Sequence, residues 1–471
     1  MELFPYQKTA STFLKERGRA YIALDMGMGK TITSLHAAHE AGEKHILLVA
    51  EKNEIVNSQN FKKEVENHFD GLRYINLRDG LPWEGGGGAP GDGSRTVCGI
   101  NPDALVKLDH KVIASIFDTM IIDEATLAKT TTTARFKQVH KIAKGMDYLI
   151  LLSGTPMMNG AAELYAPMLL MEHPMIAGKG AEGRKAFEVI FAGGHTRKIR
   201  NTGKWFQDYV WWAKGSNHVR ELRYLLQDRF FILSKTETDV FKKKVRRVEK
   251  VEMSVLWLAE YMNAWNEYLK DARVRNVDMD NISELRNLIE NGQCYQVNSR
   301  WKVKRIAEDI AKGVYGDRRI VVFTLFVESD QLLQEELLSR GVSFRTFEEV
   351  REWKEGTEQV LVGRIKAHGK GGNVPEASVA LFADMDFVPA NNIQAENRID
   401  RPEQKNEMEI VYYITEGKDV VDSHVQNINY EKSSKITKFM KPMTEDELRL
   451  MPKALEALRE KFPKEAEILG I

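Results

Sequence analysis

Lys30, Asp123, Glu124, Arg398 and Arg401 are the residues of this 471-residue chain whose types and settings suit phosphoryl transfer. Lys30 and Thr31 close the stretch ALDMGMGKT at 23–31. An apolar run, Ala20 to Leu24, precedes the turn, and helix-compatible Ile32, Leu35 and Ala38 follow it. A glycine-rich turn between a strand and a helix can wrap an anion with the backbone of Gly27, Met28 and Gly29, and the helix start adds positive potential. Lys30 would then reach the β- and γ-phosphates of a nucleotide, and the Thr31 hydroxyl would bind Mg²⁺. Leu24 stands where GxxxxGK[ST] has its first glycine. Alone, the loop therefore leaves a plain strand–helix turn open as well.

A second stretch supplies the acids. The apolar run Thr119 to Ile122 ends in Asp123 and Glu124. At the carboxyl end of a strand in a parallel sheet, both would stand where ligands bind. There the first acid can hold Mg²⁺, directly or through water, and the second can polarise an attacking water. The ordinary alternative is a pair of caps for the next helix. Ser153 and Thr155 end a further apolar run, Tyr148 to Leu152, and their hydroxyls would couple the metal-site carboxylates to a neighbouring loop. Gln7, just ahead of the first strand, carries one donor and one acceptor and can read an adenine edge. Near the other end, a helix through 394–404 would place Gln394, Arg398 and Arg401 on one face. The two arginines either pair with Glu396, Asp400 and Glu403 or present guanidinium forks to a triphosphate.

Positioning these groups takes an alternation of strands and helices. Apolar runs at 45–50, 96–100, 119–122 and 147–152 alternate with helix-compatible segments, as in a parallel sheet with right-handed crossovers. The same rhythm returns at 319–323, 359–363 and 378–382, giving a second parallel-sheet domain with no phosphate loop of its own. Residues 80–94 (GLPWEGGGGAPGDGS) read as a surface loop. Residues 171–315 change character, with a Trp205 to Trp212 aromatic cluster and the basic run Lys242 to Arg247. They read as a helical insertion and linker. Its aromatics suit either a core or stacking on nucleic acid, and its basic run either a solvated face or phosphate contact. The expected boundaries are 1–170, 171–315, 316–430 and 431–471, the last a helical extension packed on the second lobe or serving as an attachment site.

Composition narrows the class. Lys plus Arg equals Asp plus Glu at 68 each, so any nucleic-acid surface must be local. Two cysteines, Cys98 and Cys294, make no disulfide framework. No apolar run is long enough to span a membrane and the start has no signal-peptide pattern, so the expectation is a cytoplasmic protein with no membrane partner.

Taken in order, these stretches resemble the superfamily-two helicases. Within them the chain is similar to the Swi/Snf-type DNA translocases, above all the compact annealing helicases related to HepA. The opening Leu3-Phe4-Pro5-Tyr6-Gln7, the loop Asp25 to Thr31 and the box Asp123-Glu124-Ala125-Thr126 carry the resemblance. So do Ser153-Gly154-Thr155-Pro156, the segment Lys366 to Val374, and Gln394 to Gln404. The resemblance implies an α/β fold of two RecA-like lobes with ATP and Mg²⁺ between them and Arg401 as the finger on the γ-phosphate, supported by Arg398. It also implies nucleotide contact from Gly371, and sequence-independent contacts to duplex or forked DNA from Lys52, Asn101, Thr324, Lys366 and Lys370. A monomer that moves along DNA as its lobes close and reopen is expected, in a bacterial or phage-infected cell. Three positions depart from the family pattern: Phe4 replaces a basic residue near the base, Lys52 a proline, and Thr126 a histidine. The second lobe is also short between Phe344 and Gln359.

Overall fold

The computed structural model describes residues 2–51, 60–77, 95–125, 130–157, 160–199, 208–213, 215–274, 293–368, 372–416 and 420–471. Lys52, the glycine-rich stretch 80–94, Thr126, Lys370 and Gly371 lie outside them. The chain divides into two compact units, Met1–Thr238 with Lys435–Ile471, and Asp239–Ser434.

The first unit is built on β1 (Arg19–Leu24), β2 (His45–Val49), β3 (Leu72–Asn76), β4 (Arg95–Ile100), β5 (Thr119–Ile122) and β6 (Tyr148–Ser153). A hairpin of β7 (His195–Ile199) and β8 (Asp208–Trp212) follows, then β9 (Phe230–Leu233). The main sheet runs β3-β4-β2-β5-β6-β1-β9, and every pairing in it is parallel. β2 and β5 are buried along their whole length, as strands covered by helices on both faces must be. Their apolar side chains reach one core shared with Phe187, Ile190 and Leu222. Helix α1 (Pro5–Arg17) begins with proline at a first-turn position, where a missing N–H is harmless, and α2 (Lys30–Glu40) begins at the phosphate-loop lysine.

The second unit carries β10 (Lys244–Val251), β11 (Ile320–Thr324), β12 (Phe344–Thr346), β13 (Val360–Arg364), β14 (Val379–Phe382) and β15 (Met408–Thr415). Its sheet order is β10-β15-β14-β11-β13-β12, again all parallel. Two RecA-like parallel-sheet lobes are therefore present. Among the described residues no helix is long and apolar enough to cross a membrane. Cys98 and Cys294 are free and buried, and burial pushes both thiols up to about 11.

Three expectations need correction. Residues 171–315 are divided at Asp239 between the two units and contain the strands β7 to β10 as well as helices. The basic run is strand, not helix: in Lys244-Val245-Arg246-Arg247 alternate side chains go to opposite faces. The C-terminal helices Glu445–Lys461 and Pro463–Leu469 pack on the first unit, where Leu458 and Leu469 join its core. Arg220, on the helix Val219–Leu225, fixes that segment. It donates to the carbonyls of Lys438, Lys441 and Pro442 and, with both arms, to Glu447.

Candidate nucleotide site

Sheet order assembles the site. β6 lies between β5 and β1, with Ala23 opposite Ser153 and Ile122 opposite Leu151. The carboxyl ends of the three strands stand side by side, so the glycine loop, Ser153-Gly154-Thr155 and the acids Asp123 and Glu124 share one edge. Gly27 and Gly29 take φ of 84° and 72°, a region closed to most side chains. A Cβ on Gly29 would also sit 2.3 Å from Gln7 Nε2. On Gly154 it would lie 2.8 Å from Met26 Cγ and 3.4 Å from Lys30 Nζ. The loop and the β6 end thus close on each other around the lysine.

Thr31 Oγ1 donates to Asp123 Oδ2 at 3.0 Å, and the Glu124 amide donates to Asp123 Oδ1 at 2.9 Å. Burial raises the Asp123 carboxyl, and Lys30, Thr31 and the Glu124 amide oppose that rise. Lys30 Nζ donates to the carbonyls of Leu24 at 3.1 Å and Asp25 at 3.4 Å, so the ammonium is held over the loop. Glu124 has φ of +50°, a left-handed conformation rare for glutamate. Strain of this kind gathers where a side chain must point in one required direction. A hydroxyl and a carboxylate 3.0 Å apart suit Mg²⁺, a hard cation that takes few protein oxygens and keeps several waters.

Gln7 is already engaged: its Oε1 accepts from the Phe4 amide at 3.0 Å and its Nε2 donates to the Met28 carbonyl at 3.1 Å. Tyr6 OH donates to the same carbonyl at 3.1 Å, a contact no motif indicates. The half-exposed Phe4 ring stacks on Tyr6 with planes 6° apart. Asp25 accepts from the Lys235 amide at 2.8 Å, which ties the loop to the segment after β9. The pairing of β9 with β1 brings those residues together. Ser153 is fully buried, and its hydroxyl serves Thr155 N and Tyr21.

In the second unit the helix Pro389–Glu396 stops at its cap, Asn397. The shared helical face is therefore corrected: Gln394 is on the helix, while Arg398 and Arg401 lie in the turn after it. Pro402 disfavours helical backbone at Arg401, which the 3.6-residue spacing ignores. Gln404 Nε2 donates to the Ala377 and Ile399 carbonyls, and the Val374 amide donates to the Arg398 carbonyl, so the turn is pinned at both ends. Arg398 is buried, and the half-buried Arg401 has a buried Nε with no hydrogen-bond partner. Of the remaining expected contacts, Thr324 is buried and donates to Asp330 at 3.2 Å. Asn101 caps the helix Pro102–Leu105 through Ala104 N. Lys366 is half exposed, 3.8 Å from Asp386.

A strand, a glycine loop gripping a lysine and a hydroxyl–carboxylate pair at the next strand but one mark the first unit as a P-loop nucleotide-binding lobe. Comparison with known proteins shows what the chain is similar to. A model described as "Type III restriction enzyme, res subunit" matches residues 1–158, and one for the SNF2-related domain matches 103–310. A SWI/SNF-related matrix-associated actin-dependent regulator of chromatin subfamily A-like protein 1 homolog from Caenorhabditis elegans is 25% identical over 91% of this chain and 61% of its own length. The DNA annealing helicase and endonuclease ZRANB3 of Mus musculus is 25% identical over 88% of this chain and 39% of its own. The chain thus spans less than two thirds of either relative. The Sulfolobus solfataricus SWI2/SNF2 ATPase core in complex with dsDNA aligns over 98% of this chain and 96% of that one, with a TM-score of 0.42 and 15% identity. The chain thus carries regions that match the type III restriction enzyme res-subunit and SNF2-related domain models, and along most of its length it is similar to SWI/SNF-related and annealing-helicase proteins.

Proposed function

We propose that the chain is a DNA-dependent ATPase that converts hydrolysis into movement along DNA, remodelling forks, annealing strands or displacing bound protein. The contact of Thr31 with Asp123 at the mouth of the glycine loop carries this reading, because it sets a cation-binding pair beside Lys30. Lys30 and the loop amides would bind the β- and γ-phosphates, Thr31 and Asp123 would hold Mg²⁺, and Glu124 would accept the proton of the attacking water. Bound Mg²⁺ would neutralise charge on the phosphates. Gln7, with Phe4 and Tyr6 beside it, faces the base. Arg401, supported by Arg398, adds the transition-state charge, a contribution on the order of 10³-fold or more in phosphoryl transfer. DNA as track, and annealing as outcome, follow the printed name of the ZRANB3 relative.

The test is ATP turnover with duplex, single-stranded and forked DNA, together with displacement of a triplex-forming strand. Duplex-stimulated turnover with triplex displacement and no net strand separation is expected. Separation of a forked duplex without triplex displacement would favour a strand-separating helicase. Absence of turnover on every DNA would leave a DNA-binding scaffold.

A further inference from the structure

The arginine turn is flanked by acids, Glu396 and Asp400, and cations of β10 lie on both of them. Alternate residues of β10, Lys244 and Arg246, share one face of the strand, and that face meets the turn. Arg246 grips Glu396 with both arms, Nε at 2.8 Å from Oε1 and its terminal nitrogen at 2.6 Å from Oε2. Tyr412 OH adds a third bond at 2.8 Å. Lys244 Nζ lies 2.8 Å from Asp400 and 3.4 Å from Glu396. Both carboxylates are almost fully buried, at 2% exposure each. A buried carboxylate takes the nearest cation available, because an unpaired charge there is expensive. Burial disfavours the Arg401 charge, and Glu403 and, to a lesser degree, Asp400 attract its guanidinium. Even so, the Arg401 Nε makes no hydrogen bond, and Lys244 lies on Asp400 Oδ2 while Asp400 Oδ1 accepts none.

Resting on the ATPase reading above, we propose that Lys244, seconded by Arg246, is a positioning residue for phosphoryl transfer. It occupies Asp400 and Glu396 so that the Arg401 guanidinium stays available to the nucleotide. Without Lys244, Asp400 captures Arg401 in an ion pair and the finger is quenched. Lys244 and Arg246 then act within their own lobe, on carboxylates, and not on a nucleic-acid backbone.

The experiment is steady-state ATP hydrolysis by the full chain at saturating duplex DNA, with thermal melting and duplex affinity measured on the same variants. Lys244→Met should lower kcat at least tenfold with the KM for ATP within threefold. Lys244→Arg, which keeps the charge, should stay within threefold of the parent. Adding Asp400→Asn to Lys244→Met removes the competitor and should return kcat to within threefold of Asp400→Asn alone. Unchanged kcat in Lys244→Met overturns the proposal. So does a double variant that regains its melting temperature but not its kcat, which would mark the pair as structural. Weakened duplex affinity with unchanged kcat would overturn it in favour of phosphate contact. Arg401→Ala separates this from the parent reading. If it leaves kcat intact, the site assignment itself fails; if it abolishes turnover while Lys244→Met does not, only the present inference falls.

Discussion

Glu124 and Gly29 are the residues at which chemistry and backbone geometry meet. Glu124→Gln keeps the size of the side chain and removes its basicity. The variant should bind ATP within a few fold of the parent yet lose at least 10²-fold in kcat, within the range a positioned base contributes. Nucleotide binding by fluorescent ATP analogue beside steady-state turnover checks it, and loss of binding would make Glu124 a scaffold. Gly29→Ala asks for φ of 72° at an alanine and a Cβ 2.3 Å from Gln7 Nε2. The left-handed backbone alone costs about 1–2 kcal/mol, so ATP affinity should fall roughly tenfold or more, as titration would show. Much of this site was legible in the sequence. Asp123 and Glu124 stand where an apolar strand ends, Lys30 and Thr31 open the helix after the glycine turn that follows another, and a parallel sheet brings such ends to one edge. Tyr6 on the Met28 carbonyl and Asp25 on the Lys235 amide were not legible, because nothing local marks a contact that depends on how distant segments pack.

Elements explain where reading the sequence failed. Phe230-Phe231-Ile232-Leu233 is too short for its period to tell strand from helix, and it is an edge strand beside β1. β10 was hidden because its alternation runs through cations, and those cations face buried acids. Burial by itself would raise the Glu396 carboxyl, but Lys244, Arg246 and the bonds from Arg246 and Tyr412 outweigh it and hold it down at about 2. A carboxyl lowered on folding stabilises the fold above its unfolded value, near 4.3, and that stability is lost as pH falls toward the folded value. The interval corresponds to about 3 kcal/mol. Urea unfolding of the second unit should therefore weaken between about pH 4.5 and 2, and Glu396→Gln should flatten that limb. The C-terminal helices offer a parallel test. Arg220→Ala strips donors from the Lys438, Lys441 and Pro442 carbonyls and leaves Glu447 without its fork. A loss of about 1–2 kcal/mol is expected when these part-buried acceptors lose a charged donor. Urea midpoints should report it, with faster proteolysis of residues 435–471.

At the scale of the whole molecule, balanced charge sets how DNA can be held. Lysines and arginines equal aspartates and glutamates at 68 each, and within the densest basic run Lys244 and Arg246 are taken by acids as above and Arg247 by Glu249 and Glu409, while Lys242 and Lys243 are exposed. The cations proposed for phosphate contact are then few: Lys52, Lys366 and Lys370. Each phosphate neutralised releases counterions and adds about 0.9 to the slope of log affinity against log salt on duplex DNA. Three lysines give a slope magnitude of roughly 3. Lys366→Ala should lower it by about 0.9 and weaken binding equally on unrelated sequences. Arg246→Met should leave the slope unchanged, since its charge is spent on Glu396. Duplex affinity measured across a salt series decides the matter. A slope magnitude of about 6 or more, or a fall in slope with Arg246→Met, would mean that the β10 cations reach the DNA backbone after all.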